Sequence, residues 1–385
     1  MRRLLLLASA VIFLDVAFFA AIAPLLPEYV DDLGLSKAQA GILSAAYAAG
    51  TLAAALPAGL VTSRIGPRRT VIYGLLMLGV SSVAFGLVEE IFLLDAARFS
   101  QGIAGALIWT GALTWLIAAS PDANRGSVIG TALGTAVAGA LLGPALGALA
   151  GSIGTGPVFC SVMVVTLALA YGAWQLPDVG VSAQQTLGEI RTAILSRPVL
   201  DATAFVAVPS VMFGAIEVLV PLRIDALGGG HGVIAAGFIA GAGLEAVLAP
   251  LAGRFSDRVG RRSPYVTGLT ICALAMLGVA AAQTLGGVLA ALIVTSLGAG
   301  LCFAPAMTLL SDVADSTALH QGFAAGLSNM AWASGQVIGG AGGGVVASVT
   351  GNAAPCIAIS LLLLVTVGYA FRSLAPPVTA RPVES

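Results

Sequence analysis

The chain has 385 residues, of which 58% are hydrophobic and only 9% are charged, and its formal net charge at pH 7 is -1. Soluble domains carry about 25% charged residues. This composition, with a mean hydropathy of +1.01, excludes an ordinary soluble protein and indicates that most of the chain faces lipid. The lack of a concentrated basic run also argues against a nucleic-acid partner.

Apolar stretches long enough to cross the ~30 Å hydrocarbon core of a bilayer recur along the chain. Backbone polar groups in lipid must be satisfied internally, so each stretch is predicted to be a transmembrane helix. Six precede a polar segment near the middle of the chain and six follow it, which predicts an all-α membrane protein of twelve helices. The predicted spans cover residues 4–26, 38–62, 70–88, 91–119, 127–150, 156–175, 199–222, 232–252, 264–283, 286–310, 321–349 and 353–374.

Lysine and arginine side chains concentrate in alternate loops. If the N-terminus is cytoplasmic, 14 of the 17 lie in cytoplasmic segments, Lys37 and Arg223 lie outside, and Arg98 lies within a span. Cytoplasmic loops of membrane proteins carry the excess of positive charge. The sequence therefore predicts a multi-pass protein of the cytoplasmic (inner) membrane with both termini in the cytoplasm.

Two short loops repeat each other at about half the chain length. The loop after the second span begins at Gly59, the loop after the eighth begins at Gly253, and these glycines are 194 residues apart. Equivalent loops on one side of the membrane are typical of two parallel repeats that rock against each other. We expect an N-terminal six-helix bundle, a cytoplasmic linker, a C-terminal six-helix bundle and a cytoplasmic tail, at residues 1–175, 176–198, 199–374 and 375–385.

The second loop fits the pattern Gly-x-x-x-Asp-Arg-x-Gly-Arg-Arg, and on that pattern the chain resembles the major facilitator superfamily over nearly its whole length. The resemblance implies two pseudo-symmetric six-helix bundles and alternating access. The first loop departs from the pattern, with Ser63 in place of Asp and Pro67 in place of Arg. We expect the glycines to allow tight turns and the charged residues to pair across the cytoplasmic seam as a gate. The expected gating residues are Gly59, Arg64, Gly66, Arg68, Gly253, Asp257, Arg258, Gly260, Arg261 and Arg262.

Spans four and five carry further motifs of this superfamily. Span four matches the Arg-x-x-Gln-Gly pattern of its proton-coupled members at Arg98 and Gln101, and the resemblance implies that Arg98 takes part in proton coupling. Span five matches the Gly-x-x-x-Gly-Pro-x-x-Gly motif of drug:proton antiporters. A glycine pair alone would indicate only close helix packing, but a bending Gly-Pro within this spacing favours antiport. The matching residues are Gly139, Gly143, Pro144 and Gly147.

Span one is similar to the first helix of vesicular amine transporters and related bacterial multidrug exporters. Leu14-Asp15 is followed, after eight residues, by Pro24-Leu25-Leu26-Pro27-Glu28-Tyr29. The chain departs from the amine transporters at three places, with Tyr47 in place of a lysine and Gly300 and Asn329 in place of acids. Substrate identity and coupling stoichiometry therefore do not carry over.

Carboxylates within spans are costly in lipid unless they face a cavity or a partner, so each is a candidate functional residue. Asp15 lies midway along span one, and we expect it to bind a proton or a cationic substrate. Glu217 in span seven and Glu245 in span eight are candidate proton sites. Glu245 has no cationic neighbour on its own helix, and a neutral, hydrogen-bonded core acid is the alternative for it.

The other intramembrane carboxylates have simpler interpretations. Asp95 and Arg98 lie three residues apart on span four, so they share a helix face and are predicted to form a local ion pair. Asp201 begins span seven and is predicted to cap that helix. Aromatic faces can hold an organic cation, and amides can hydrogen-bond a substrate. The residues expected to line the transport cavity are Tyr47, Gln101, Asn329 and Trp332.

Together these features predict a secondary transporter, with proton-coupled antiport of small amphipathic or cationic organic compounds as the leading interpretation. A transporter of a sugar, amino acid or other metabolite is the alternative, because the same scaffold hosts many substrates. The sequence has no phosphate-binding loop, Gly-x-Ser-x-Gly motif or His-rich cluster. We therefore expect no enzyme activity, no catalytic or metal-binding residue and no cofactor besides a coupling proton. The expected partners are an organic substrate and the lipid bilayer, with a functional monomer.

Overall fold

All regular secondary structure in the part of the chain that the computed structural model describes is helical. The predicted linker and tail fall largely outside it, at residues 180–194 and 375–385. The described residues are 2–120, 125–179, 195–316 and 321–374.

Seven helices form the first half of the molecule, and the first two of them together make one span. A break at Ala21 separates these two. Pro24 has no N–H to donate to the carbonyl of Ala20, which explains a break at this place. The helices are α1 Arg2–Ala20, α2 Ile22–Leu33, α3 Lys37–Ile65, α4 Pro67–Leu87, α5 Ile91–Ala119, α6 Arg125–Ile153 and α7 Thr155–Gln175.

The second half repeats this arrangement with one interruption in its fifth span. There a glycine-rich π-helical segment, Ile338–Gly342, joins two α-helices. Such wide turns occur mostly as short interruptions of α-helices. The helices are α8 Arg197–Ala226, α9 His231–Val259, α10 Arg262–Ala281, α11 Leu285–Ser316, α12 Gln321–Val337, α13 Gly343–Thr350 and α14 Ala353–Ser373.

The number of spans agrees with the sequence prediction. Eleven helical segments of the described residues are long and apolar enough to cross a membrane. The interrupted α12–α13 segment supplies the twelfth. Each half has its own apolar core, one built from α1 to α7 with Val218 of α8, the other from α8 to α14. The predicted all-α fold of two six-helix bundles is confirmed.

The two repeated loops have the same backbone geometry. Gly66 adopts φ 87° and ψ 154° between α3 and α4, and Gly260 adopts φ 88° and ψ 158° at the end of α9. Positive φ is readily accessible only to glycine, which explains why both loops carry one at this place. The prediction that Asp201 caps α8 is wrong, because that helix begins earlier, at Arg197, and Asp201 instead accepts a hydrogen bond from the hydroxyl of Tyr369 at 2.9 Å.

The two bundles touch at the predicted outer end. At the outer end, Lys37 Nζ donates a 2.6 Å hydrogen bond to Asn352 Oδ1, and His231 Nδ1 lies 3.8 Å from Glu28 Oε2. The space between the bundles is therefore closed on the predicted outer side.

Candidate functional site

Asp15 lies in α1 and is enclosed by side chains from two neighbouring helices. The hydroxyl of Tyr47 in α3 donates to both carboxylate oxygens at 2.8 and 2.9 Å, and Trp109 Nε1 in α5 donates to Oδ2 at 3.1 Å. Asp15 is only 1% exposed, and no cationic side chain of the described residues forms an ion pair with it. The buried carboxyl is therefore satisfied by neutral hydrogen-bond donors alone.

Glycine on α5 makes the room for this cluster. A Cβ at Gly105 would come within 3.0 Å of Asp15 Oδ1 and closer still to the hydroxyl of Tyr47. Trp109 and Gly105 were not among the residues expected at the site. Their signal was present, because Arg98, Gln101, Gly105 and Trp109 follow one another at spacings of three or four and so share one face of α5.

Arg98 points across the first bundle to the end of α1. Its guanidinium donates to the carbonyls of Phe18 at 3.4 Å and Phe19 at 3.3 Å. These carbonyls belong to the last turn of α1, where helix carbonyls lack intrahelical partners and carry partial negative charge. The predicted Asp95–Arg98 ion pair is wrong, because Asp95 Oδ1 has no hydrogen-bond partner among the described residues and Arg98 instead donates to carbonyls of α1.

A short polar chain extends from Arg98 into the first bundle. Arg98 Nη1 donates to Gln101 Oε1 at 3.0 Å, and Gln101 Nε2 donates to Ser82 Oγ of α4 at 3.2 Å. The guanidinium also lies 5.2 Å from the ring centre of Tyr47, the residue that holds Asp15. Arg98, Gln101, Tyr47 and Asp15 thus form one connected group inside the first bundle.

Glu217 brings the second bundle into contact with this group. It lies in α8 and is half-buried. Its carboxyl neighbours the side-chain amide of Gln336 in α12 and interacts electrostatically with Arg98 across the interface between the bundles. Gly214 allows this approach of α8 to α12, since a Cβ there would meet Gln336 Cα at 2.9 Å. Gln336 is buried, and no described residue donates a hydrogen bond to its Oε1. No periodic pattern or motif in the sequence points to Gln336.

A cavity of about 160 Å³ lies between the bundles, with walls from α1, α2, α6, α8, α9 and α11. Two carboxylates line it, Glu217 and Glu245, together with the rings of Phe19, Phe213 and Phe238. Both carboxylates are half-buried, so they are accessible from the cavity. Asp15 is not part of its lining.

The four residues expected to line the cavity lie beside it or deeper in the bundles. Tyr47 and Gln101 are buried in the polar group around Arg98. Trp332 packs edge-on against Phe19, with ring centres 5.3 Å apart, so it reaches the cavity only through that ring. Asn329 is half-buried in α12.

The antiporter-type motif of α6 packs against the broken first span. A Cβ at Gly139 would lie 3.2 Å from Ala17 N, one at Gly143 would lie 2.6 Å from Ala17 O, and one at Gly147 would lie 3.1 Å from Pro24 Cδ. Pro144 lines the cavity. The small residues therefore hold the backbone of α6 against α1 and α2, next to the cavity.

The arginines of the repeated loops pair inside their own bundles. Arg68 donates to the carbonyl of Leu176 at 3.1 Å and lies 3.5 Å from Asp178. Arg261 lies 3.1 Å from Asp312 at the end of α11. These contacts lie within one bundle each, and the expected pairing between bundles stays a prediction. The contacts stay within a bundle because each loop lies next to the end of a helix of its own repeat.

The remaining gating residues surround these pairs. Arg262 lies over the ring of Phe371 in α14 at 4.5 Å, again within the second bundle. Arg64 and Arg258 are exposed. Gly59 and Gly253 lie within α3 and α9. The side chain of Asp257 lies outside the described residues. Among the described residues, no three His, Cys, Asp or Glu side chains are grouped as a metal site.

Comparison with known proteins identifies the family of this chain. The chain matches the family model described as Major Facilitator Superfamily, over residues 5–340 and 227–385. It is 28% identical to a chloramphenicol resistance protein of Streptomyces lividans over 99% of this chain and 98% of that protein. It is 29% identical to the uncharacterized MFS-type transporter YcaD of Escherichia coli O45:K1 (strain S88 / ExPEC), over 33% of each chain.

Two solved structures share the fold. One is a bacterial homologue of the human lysosomal transporter Spinster, in an inward-facing and unoccupied conformation, with TM-score 0.78, 13% identity and 96% of each chain covered. The other is a D-xylose–proton symporter, with TM-score 0.78, 16% identity and 97% of this chain and 98% of that chain covered. At these identities the likeness concerns the fold alone.

Proposed function

The chain belongs to the Major Facilitator Superfamily, and from that premise we propose that it is a proton-coupled antiporter that exports small amphipathic or cationic organic compounds. The observation that carries this proposal is the enclosed carboxyl of Asp15. It is held by hydrogen bonds from Tyr47 and Trp109, without an ion pair to any described cationic side chain, beside a cavity shared by both bundles. A carboxyl so placed can exchange a proton without an ion pair having to break.

The motif on α6 supports antiport. Gly139, Gly143 and Gly147 hold α6 tightly on the span that carries Asp15, so movement of one is transmitted to the other through packed backbone. The similarity to a protein named for chloramphenicol resistance, over nearly the full length of both chains, supports export of an organic compound.

The proposed cycle is alternating access. Protonation of Asp15 together with a cavity carboxylate, Glu217 or Glu245, neutralises the site and releases the substrate outward. Deprotonation toward the cytoplasm restores substrate affinity. Arg98 lies between Asp15 and Glu217 and interacts electrostatically with both, so it connects the charge states of the two bundles.

The proposal also covers the membrane location, the topology, the bounds of the bundles and the coupling ion. We place the protein in the cytoplasmic membrane with both termini in the cytoplasm, because of the distribution of its arginines. The bundles are proposed to span residues 1–175 and 199–374, with H⁺ as the coupling ion. The proposed functional unit is a monomer.

The test is transport into proteoliposomes with an imposed pH gradient. Two radiolabelled probes are used, the neutral compound chloramphenicol and the permanently charged cation benzyltrimethylammonium. Antiport predicts that an acidic lumen drives uptake of at least one probe. Asp15→Asn abolishes that uptake, whereas Asp31→Asn, an exposed Asp at the end of α2, keeps it.

Three results would count against the proposal. Full gradient-driven uptake by Asp15→Asn removes Asp15 from coupling. Uptake driven by an acidic exterior indicates symport, the behaviour of the metabolite alternative. No gradient-driven uptake of either probe by folded wild-type protein removes the proposed substrate class.

A further inference from the structure

The carboxylates near the interface between the bundles differ in whether their oxygens already accept hydrogen bonds. Both oxygens of Asp15 accept hydrogen bonds, from Tyr47 and Trp109, at 2.8 to 3.1 Å. The side chain is 1% exposed. An organic cation could reach it only by displacing two aromatic side chains, whereas a proton needs no such space.

Glu245 is the opposite case. It lies near the middle of α9, lines the cavity, and is half-buried. No described residue donates a hydrogen bond to it or forms an ion pair with it. The ionisable groups that face it are Glu217 from α8, across the cavity, and the thiol of Cys302 from α11. A carboxylate open to a cavity and lacking a partner is suited to a cationic ligand.

The helix packing around Glu245 keeps this carboxylate at the cavity. Gly300 of α11 faces the turn that carries it, and a Cβ there would meet Glu245 Cα at 3.4 Å and Leu248 Cβ at 2.9 Å. The absence of a side chain at Gly300 therefore lets α9 and α11 approach each other at this level.

The cavity walls suit the rest of such a ligand. Phe19 of α1, Phe213 of α8 and Phe238 of α9 present aromatic rings. Phe238 precedes Glu245 by seven residues, about two helical turns, and so lies on the same side of α9. Aromatic faces attract organic cations and accept apolar groups. Because the walls come from both bundles, rocking of the bundles opens the site and closes it again, as transport requires.

We propose that Glu245 binds the positively charged end of an organic cation, with the apolar part of the ligand against Phe238, Phe213 and Phe19. Asp15 does not touch the ligand. This assignment rests on the proposed transport of organic cations and divides its two tasks between the bundles. Asp15 in the first bundle exchanges a proton without touching the cargo, and Glu245 on the cavity face of the second bundle binds the cargo.

The test is equilibrium binding of radiolabelled benzyltrimethylammonium to the purified full-length protein in detergent, without a pH gradient. We expect Glu245→Gln to raise the Kd about tenfold or more, the loss of one favourable charge contact. Glu245→Asp keeps the charge and is expected to raise the Kd less. The matched control is Glu89→Gln, an exposed glutamate outside the cavity, with an unchanged Kd. Asp15→Asn is expected to raise the Kd less than Glu245→Gln does.

A second variant keeps the test decisive if Glu245→Gln does not fold. Phe238→Leu keeps an apolar side chain and removes the aromatic face, and the Kd is expected to rise about threefold. Wild-type affinity in Glu245→Gln overturns the assignment, as do wild-type affinity in Phe238→Leu and the absence of saturable binding by the wild type. Because binding needs no gradient, a protein that binds through Glu245 and yet shows no proton-driven flux fails the antiport proposal alone.

Discussion

The polar group around Asp15 and Arg98 in the first bundle differs from the cavity face of the second bundle in how its buried charges are stabilised. Around Asp15 and Arg98, side chains and carbonyls of α1, α3 and α5 form hydrogen bonds with the charged groups from within the bundle. Glu245 faces a cavity and has no partner among the described residues. Satisfied charges favour fixed geometry, whereas a carboxylate left open is available to a ligand. The difference suggests that coupling and binding reside in different halves of the molecule.

The largest expected effect comes from the helix interface on which both regions depend. Gly143→Ala places a Cβ 2.6 Å from Ala17 O, and such overpacking costs about 1 to 3 kcal/mol. We expect a lower melting temperature and loss of transport. Gly134→Ala in the same helix is the control, because a Cβ there meets no described atom within 4 Å. Equal stability of the two variants would show that α6 does not pack on α1 in this way.

A second change removes one hydrogen-bond donor from Asp15, so that this carboxylate has fewer partners and is more similar to Glu245. Tyr47→Phe deletes the hydroxyl that donates to both oxygens of Asp15. A hydrogen bond to a charged group contributes about 2 kcal/mol, so gradient-driven flux should fall about tenfold or more. Tyr73→Phe, at an exposed tyrosine of α4, should retain wild-type flux. A Tyr47→Phe protein with normal flux would contradict the role given to this hydroxyl.

A third change acts on the contact between the bundles. Lys37→Met removes the 2.6 Å hydrogen bond to Asn352 at the predicted outer end. One hydrogen bond contributes about 1 kcal/mol, so the population opened at that end should rise about fivefold. Spin labels at Asp31 and Thr350, in a variant without native cysteines, report that population by their distance distribution.

The control for this change is another cation at the same end. Arg223 donates to Ala282 O at 2.9 Å within the second bundle, so Arg223→Met should leave the label distances unchanged. If both variants shifted the distances equally, the shift would reflect charge in general and not the contact between bundles.

The smallest effect is expected at the repeated loop of the second bundle. The Arg261–Asp312 pair is 3.1 Å long, with side chains 25% and 55% exposed. Solvent screening limits such pairs to about 0.5 kcal/mol. A double-mutant cycle with Arg261→Gln and Asp312→Asn, followed by thermal unfolding, should give a coupling of this size and leave benzyltrimethylammonium binding unchanged. A coupling several times larger would indicate that the pair acts as a gate.

The sequence predicted features that depend on local rules. Hydropathy and length predict the spans, because lipid demands helices. The half-chain repeat predicts two equivalent turns, which Gly66 and Gly260 adopt with nearly identical φ. The spacing of glycines on α6 predicts a close helix contact, although it does not identify the partner helix as α1.

Contacts between helices were harder to predict. Asp95 and Arg98 share a helix face, yet the long arginine side chain extends to carbonyls of α1, which a single-helix pattern does not contain. The hydroxyl of Tyr47 contacts Asp15, and the amide of Gln336 lies beside Glu217. Both contacts depend on how α3 and α12 are rotated about their axes, which helix packing determines. Which carboxylate faces the cavity likewise depends on the rotation of α9.

The separation of coupling from binding is tested most directly by exchange of benzyltrimethylammonium across proteoliposomes, measured with and without a pH gradient. The account predicts that Asp15→Asn loses gradient-driven accumulation and retains exchange of labelled for unlabelled cation. Glu245→Gln is predicted to lose both activities. If Asp15→Asn lost exchange while Glu245→Gln kept it, the two carboxylates would have the opposite roles, and the account would be wrong.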